Sequence, residues 1–362
     1  MSPAQTQTNY ACVLTAARAV DIQNIPVPSV GPDEVLVKVE ATGICGSDLH
    51  LYNHFGLGKF RVSKPSVLGH ESTGTIVKIG DQVTDRAVGD RICIEPTMFC
   101  RKCFNCKAGR PNICRDIRQA GLDPTPGTLS QFYVCESDFT VKIPDSLPWL
   151  EAGCIQPLAI SVQIAKRAKF SPGQTLAVFG CGPLGALVMA IAKAYGLSKI
   201  LAFDISQKRV EFAKKHWAQY GTLPPEKHDR QDYESWADEF KAKVMKEAGV
   251  ESWGVDVVVE ASGAEPCMHA GIGFLRPDVA AGLGRAINSF PTVQIVGKEL
   301  DVVGSVRYTA GCFQTAIELA SSGKVDLKPL VTAKFPLSKS AEALEAVRKG
   351  DDLKVVIMNQ EM

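Results

Sequence analysis

After Pro172-Gly173 the chain reads Gln174-Thr175-Leu176-Ala177-Val178-Phe179, an apolar run of strand length, and then Gly180-Cys181-Gly182-Pro183-Leu184-Gly185. The pattern that follows predicts a helix from about Pro183 to Tyr195, apolar on nearly every face, as expected of a helix packed on a sheet. A second strand, Lys199–Phe203, ends in Asp204. Strand, G-x-G-x-x-G, helix, strand and acid in this order form the dinucleotide-binding fingerprint in the context it requires. That commits the segment to a doubly wound parallel sheet of Rossmann type. Gly180 permits the tight turn, Gly182 lets the backbone approach a pyrophosphate, and Gly185 lets helix and strand pack closely. The helix start around Leu184 offers free N–H groups to phosphate. Asp204 is placed to accept from ribose hydroxyls and to repel a 2′-phosphate, which favours NAD over NADP. Arg209, on the next helix, is either an exposed charge or a cofactor contact that could accommodate such a phosphate.

One such unit does not fill the chain. At 362 residues there is room for about two domains. A net charge of +1 with acids and bases interspersed argues against a nucleic-acid surface. No stretch approaches a membrane span, and the N-terminus is polar, so a cytoplasmic protein is expected. The first third has β character: Val35–Val39 and Thr75–Ile79 are bounded by Gly, Pro or Asp, and Gly89-Asp90 turns into Arg91–Ile94. Short strands with turn signals suggest a partly open barrel.

Of the twelve cysteines, four stand as Cys100-x2-Cys103-x2-Cys106-x7-Cys114. Four thiolates at this spacing can close a tetrahedron around zinc with no position left for substrate, so a structural site is expected. The residues between them are polar and turn-rich, and metal would supply the fold energy that apolar contacts cannot. Cys12, Cys93, Cys135, Cys267 and Cys312 read as small buried apolar residues.

A second constellation lies upstream. Gly43-Ile44-Cys45-Gly46-Ser47-Asp48-Leu49-His50 is followed by Val67-Leu68-Gly69-His70-Glu71. Cys45, His70 and Glu71 offer a thiolate, an imidazole and a carboxylate, a set that suits zinc. Three protein ligands leave a fourth position for water or substrate, the pattern of a catalytic metal.

Elsewhere the signals are weaker. Segment 207–250, with His216 and His228, reads as a charged, solvated excursion without chemistry: a loop at Gly221-Thr222-Leu223-Pro224-Pro225 and then a helix-like run to Lys246. Val255–Glu260 is a buried strand leading to Ala261-Ser262-Gly263, and Leu300–Val306 is the last apolar strand of this unit. Gly311–Gly323 and Ser338–Gly350 look helical, with Ser338 or Ser340 as a cap for the latter. Asp352–Met358 is a closing strand that returns to the first domain.

Taken together, Cys45 with Ser47-Asp48 and His50, Gly69-His70-Glu71, the four-cysteine lobe and Gly180-to-Asp204 arrive in an order that resembles the zinc-containing medium-chain dehydrogenases over essentially the whole chain. Ile44–Asp48, Leu68–Ser72, Gly304-Ser305-Val306-Arg307-Tyr308 and Val331–Leu337 look most like the polyol branch: sorbitol, xylitol and arabinitol dehydrogenases. The resemblance implies a chaperonin-10-like catalytic domain from residues 1–160 and 300–362, with the structural zinc lobe at 98–116. It implies a Rossmann domain at 161–299 and a homotetramer or dimer. It implies zinc on Cys45, His70 and Glu71, and oxidation of a pentitol or hexitol with NAD as acceptor. Ser47 would take the hydroxyl proton and His50 pass it on, with Asp48 orienting His70. Arg307 and Tyr308 would meet substrate hydroxyls, and Ser305 and Arg307 the cofactor.

Three departures from that pattern are visible. Gln156-Pro157-Leu158 stands where polyol dehydrogenases carry Glu-Pro-Leu, and Gln156 lacks the charge of a carboxylate beside the zinc; Cys154 is a remote candidate ligand. Leu51 replaces an aromatic and would alter a substrate wall. Arg276–Arg285 is shortened and poor in β-branched residues, a weak strand that could misplace the nicotinamide floor. Two other readings follow from these features: a zinc alcohol or vicinal-diol dehydrogenase for smaller substrates, and a non-catalytic NAD-binding protein.

Overall fold

The structure, a computed structural model, describes residues 8–58, 60–227, 231–284 and 290–362. His228 and Arg285 lie outside them. Two compact units emerge. One ends at Gln156 and takes in Thr309–Met362, and the other is Pro157–Tyr308. These units divide at Gln156 and Tyr308, where the sequence reading puts boundaries after 160 and before 300. Strand Asp301–Gly304 pairs in parallel with Leu275–Gly284, Val279 opposite Asp301 and Gly282 opposite Gly304, and so stays with the second unit.

In the first unit, strand Glu34–Gly43 is the hub. It pairs antiparallel with Glu71–Ile79, with Phe132–Glu136 and with the C-terminal Lys354–Met358. Val35, Val37 and Val39 recur every second residue, so one face is apolar and packs with Ile76, Ile92 and Ile94. Gly74 lies so close to the Lys38 carbonyl that no Cβ fits there. A second cluster joins both chain ends, with Cys12, Leu14, Ile44 and Leu68 against Leu344, Val355 and Ile357. Beside it runs a buried polar chain. Thr42 Oγ1 lies 2.6 Å from Ser72 Oγ and donates to Asn359 Oδ1 at 2.9 Å, while Ser72 Oγ donates to Thr128 Oγ1 at 2.6 Å. All four side chains are buried and partnered, so the network adds specificity without an unsatisfied group.

Helix Ser340–Lys349 forms as expected, but neither Ser338 nor Ser340 caps it. Lys339 is the N-cap, and the Ser340 hydroxyl donates instead to the Leu337 carbonyl at 2.7 Å.

The second unit is a six-stranded parallel sheet in the order Tyr220–Thr222, Lys199–Phe203, Thr175–Phe179, Val255–Gly263, Leu275–Gly284, Asp301–Gly304. This order, two strands stepping one way from the first and three the other, is the doubly wound arrangement the glycine motif predicts. Phe179, Phe203, Phe240 and Phe274 form its aromatic centre, with ring centroids 4.8–5.4 Å apart. Phe240 belongs to helix Tyr233–Ala248, started by Asp232 accepting from the Ser235 N–H at 2.8 Å. This corrects the solvated reading of 207–250, because Trp236, Ala237, Phe240, Val244 and Met245 form a helical stripe buried on the sheet. His216 sits against Phe212 and Trp217.

The weak stretch after Arg276 does form a strand. It begins at Leu275, directly after helix Glu265–Phe274. A shift in pairing between Val255 and Val257 takes up Arg276-Pro277-Asp278. Neighbours on both edges supply its backbone hydrogen bonds, and that outweighs low β-propensity.

Candidate active site and cofactor loop

Cys45 follows strand Glu34–Gly43 through Ile44 and stands at the N-cap of helix Gly46–His54. Asp48, in the first turn of that helix, gathers the site. Its carboxylate accepts from the Cys45 N–H at 3.0 Å and the Gly69 N–H at 3.1 Å, and lies 3.3 Å from His70 Nδ1. Gly69 adopts φ 93°, and a Cβ there would strike Leu129. Burial alone would raise the Asp48 pKa, but the His70 imidazole and the backbone donors hold it below the ordinary value. Burial likewise opposes a charge on His70, yet Asp48 and Cys45 carry that imidazole well above the ordinary histidine.

With Nδ1 turned to Asp48, Nε2 is left for the site, 3.4 Å from Ser47 Oγ. Glu71 opens strand Glu71–Ile79 and is buried, one oxygen paired with Lys354. Ligand atoms of Cys45, His70 and Glu71 all lie within 4.8 Å of one another. Sulfur, nitrogen and oxygen donors so disposed fit zinc.

Gln156 is buried in the first turn of helix Ile155–Arg167, and its Oε1 has no hydrogen-bond partner among the described residues. A buried carbonyl oxygen without a donor is what a cation or its water would satisfy. Cys154 is not among the converging donors, and burial pushes its thiol up to about 12, as for a packing residue. Leu51 is fully inside the core cluster with Tyr52 rather than on an open wall, which corrects the expectation for it. His50 is exposed, one turn beyond Ser47 on the same helix, and stacks on His54 with ring centroids 6.2 Å apart.

In the lobe, Cys100, Cys103, Cys106 and Cys114 bring their sulfurs within 4.8 Å. The Cys103 N–H donates to Cys100 Sγ and the Cys100 N–H to Cys114 Sγ, both at 3.3 Å, so the backbone wraps around the sulfurs. Phe104 in the loop is 76% exposed, so apolar burial contributes little here. The short pair Thr97–Met98 and Arg118–Gln119 closes the base.

In the second unit, Gly180 has φ 97° and packs against the Ala261–Ser262 backbone, and Gly185 leaves no room for a Cβ beside the Gly180 carbonyl. Above Gly182, the N-cap of helix Pro183–Ala194, none of the described residues comes within 4 Å of where a Cβ would be. That opening and the helix N-terminus with Leu184 suit a pyrophosphate. Asp204 has a further task that its sequence position did not reveal. Its Oδ2 accepts from the Cys181 N–H at 2.7 Å and its Oδ1 from the Ser206 N–H at 2.9 Å, so it ties the glycine loop to the next turn. Arg209 lies on helix Gln207–His216 near Cys181. Beyond the last strand, Ser305 Oγ is buried without a hydrogen-bond partner among the described residues, Arg307 is half-buried in a left-handed conformation at φ 53°, and Tyr308 is buried.

Two residues escaped the sequence reading. Glu260 closes strand pairing beside Phe179, and its carboxylate accepts from the Ser262 and Gly263 N–H groups at 2.7 and 3.0 Å, shaping the loop under Gly180. Lys354 lies inside an apolar run. In both cases a charged residue in a buried-type strand was the available signal.

The family model for the alcohol dehydrogenase GroES-like domain matches residues 31–145, and that for zinc-binding dehydrogenases matches residues 183–322. The chain is 42% identical over 353 residues to D-xylulose reductase A of Aspergillus niger, covering 96% of each. Among solved structures it is similar to L-idonate 5-dehydrogenase from Escherichia coli, at a TM-score of 0.84 and 28% identity over 97% of this chain and 98% of that one. It is also similar to 2R,3R-butanediol dehydrogenase from Bacillus subtilis, at 0.84 and 27% over 97% and 99%. The chain belongs to the zinc-binding dehydrogenases that carry an alcohol dehydrogenase GroES-like domain, oxidoreductases that work with zinc and a nicotinamide cofactor.

Proposed function

We propose that this protein oxidises a secondary hydroxyl of a sugar alcohol to the ketose with NAD, with a pentitol such as xylitol as the first candidate and sorbitol or arabinitol as others. The observation that carries the reading is the convergence of Cys45, His70 and Glu71, gathered by Asp48, in a chain closely related to a D-xylulose reductase. Zinc in that site supplies a Lewis acid that polarises the substrate hydroxyl, and the dinucleotide supplies the hydride acceptor. The protein's own groups handle the proton. Ser47 Oγ, beside His70, takes it from the hydroxyl, and exposed His50 on the same helix face releases it to water. The buried, unpartnered Gln156 Oε1 orients water or substrate at the metal without adding negative charge, which leaves the cation more electrophilic than a carboxylate would. Arg307 and Tyr308 serve substrate hydroxyls, and Ser305 and Arg307 the cofactor. A converged donor set and a completed nucleotide sheet leave the non-catalytic reading without a motive.

Initial rates with xylitol, sorbitol, arabinitol, 2,3-butanediol and ethanol, each with NAD and NADP on zinc-replete protein, test the proposal. The highest kcat/KM is expected for a polyol with NAD. A strong preference for ethanol refutes the polyol assignment, and one for the butanediol supports the vicinal-diol reading that the Bacillus subtilis neighbour suggests.

NAD is favoured over NADP because the Asp204 carboxylate stands at the end of the second strand. Replacing Asp204 by serine should reduce the NAD-over-NADP ratio of kcat/KM by roughly ten- to a hundredfold, about 1.4–3 kcal/mol of lost discrimination. It should also raise KM for both cofactors, since the clamp on the Cys181 N–H goes with it. An unchanged ratio would argue that Arg209 or a neighbouring loop sets the cofactor preference instead.

We infer as well a cytoplasmic homo-oligomer, dimer or tetramer. All twelve cysteines are free, as in a reducing compartment. Among the described residues no helix is long and apolar enough to cross a membrane. Among the described residues strand Asp301–Gly304 is paired on one side only, with Val302 49% exposed, and an apolar edge of this kind invites a second copy.

A further inference from the structure

We propose that Lys354 is the positioning residue for the metal ligand Glu71, so that the C-terminal strand completes the N-terminal metal site. The inference rests on the reading of Cys45, His70 and Glu71 as a metal site. Lys354 opens strand Lys354–Met358, and its side chain is only 4% exposed. An ammonium enters a core only when its donors are matched. Here Nζ pairs with Glu71 Oε2 and donates to the Ile44 carbonyl at 3.0 Å.

Ile44 precedes Cys45, and Glu71 follows His70. One side chain, 283 positions beyond Glu71, therefore holds two of the ligand-bearing segments. Asp48 does the matching work on the other side, through the Cys45 N–H, the Gly69 N–H and His70. Each ligand is thus fixed by a neighbour that is not itself a ligand, the arrangement that keeps a metal site rigid. With Oε2 engaged by Lys354, Oε1 is the Glu71 oxygen left to face a metal. The room for this pair depends on Gly43, where a Cβ would press on the Gly153 carbonyl at 2.6 Å and on Lys354 Cε at 2.8 Å, as well as on Glu71 itself.

Strand pairing sets the aim. The Ile44 N–H donates to the Val355 carbonyl at 3.0 Å, and Val356 lies opposite Gly43. A slip of one residue would turn Lys354 to the opposite face.

The test compares Lys354→Met, Lys354→Arg and Cys45→Ser by metal content after dialysis against a chelator and by the visible spectrum of cobalt(II)-substituted protein. Lys354→Met should bind metal at the Glu71 site about 10- to 100-fold more weakly and keep only the ion of the four-cysteine cluster. Lys354→Arg retains the charge and should keep both ions, with displaced cobalt bands from a shifted Glu71. If Cys45→Ser falls to one ion while Lys354→Met keeps two with unchanged cobalt bands, the role of Lys354 is overturned and the metal site stands. If Cys45→Ser also keeps two ions, the metal site itself is refuted, and the proposal with it. Should Lys354→Met fail to fold, Lys354→Arg decides: displaced bands support the proposal, and wild-type bands overturn it.

Discussion

Cys45→Ser is expected to lower kcat/KM for the polyol by roughly a thousandfold or more, the loss of several kcal/mol of charge stabilisation at the reacting oxygen. Thermal stability should change little. The reason lies in which atoms hold the segment in place. Asp48 grips the backbone N–H of Cys45, not its sulfur, and the Ile44 carbonyl is held by Lys354, so the serine variant keeps both anchors. What it loses is the thiolate, the soft anionic donor of the set; a serine hydroxyl stays protonated and binds zinc poorly. Steady-state kinetics beside a melting curve checks this. Turnover within tenfold of wild type, with an unchanged melt, would remove Cys45 from the chemistry.

Features carried by local sequence were the legible ones. The strand–glycine–helix–strand–acid order needs only neighbours in sequence, and Thr175–Phe179, Pro183–Ala194 and Lys199–Phe203 form where the pattern puts them. Cys45 and His70 were legible because each sits in a short motif, and Asp48, which joins them, is three residues from Cys45. Long-range partners were hidden. Nothing near Lys354 in sequence indicates that it meets Glu71, because strand pairing between chain ends creates the contact.

Helix Tyr233–Ala248 was misread for a different reason. Glu, Asp and Lys on its outer face dominate the composition, and the apolar stripe through Trp236, Phe240 and Val244 shows only at helical spacing. The caps expected at Ser338 or Ser340 failed because a short 3₁₀ turn, Leu337–Lys339, leads into that helix and takes the Ser340 hydroxyl for its own carbonyl. The strand after Arg276 forms against its propensity because two parallel neighbours complete its ladder.

Cys106→Ser should give the opposite phenotype: a loss of stability with the chemistry spared. The lobe from 98 to 116 has a four-residue helix, Phe104–Lys107, a single 3₁₀ turn, Pro111–Ile113, and Phe104 turned to solvent. So little burial cannot offset the entropy of ordering a loop of this length, about 1–2 kcal/mol per residue. Zinc binding to four thiolates supplies about 10–16 kcal/mol and can. Removing one sulfur leaves three, without the closed tetrahedron, and the loop opens as far as its remaining ties allow. Those ties include the Thr97–Met98 and Arg118–Gln119 pair at its base, the Phe99–Phe139 ring contact and the Arg101–Glu136 ion pair at 2.8 Å. The last is exposed and contributes ~0–1 kcal/mol. Limited proteolysis should therefore cut within the lobe, metal content should drop by one ion, and the melting temperature should fall by roughly 5 °C or more. Protein that remains folded should keep kcat within a few-fold, because Cys45, His70 and Glu71 are anchored by Asp48 and Lys354 through bonds to Cys45, Gly69, His70 and Glu71 rather than through the lobe. A protease-resistant Cys106→Ser variant with full metal content and wild-type melting would show that the four cysteines hold no ion.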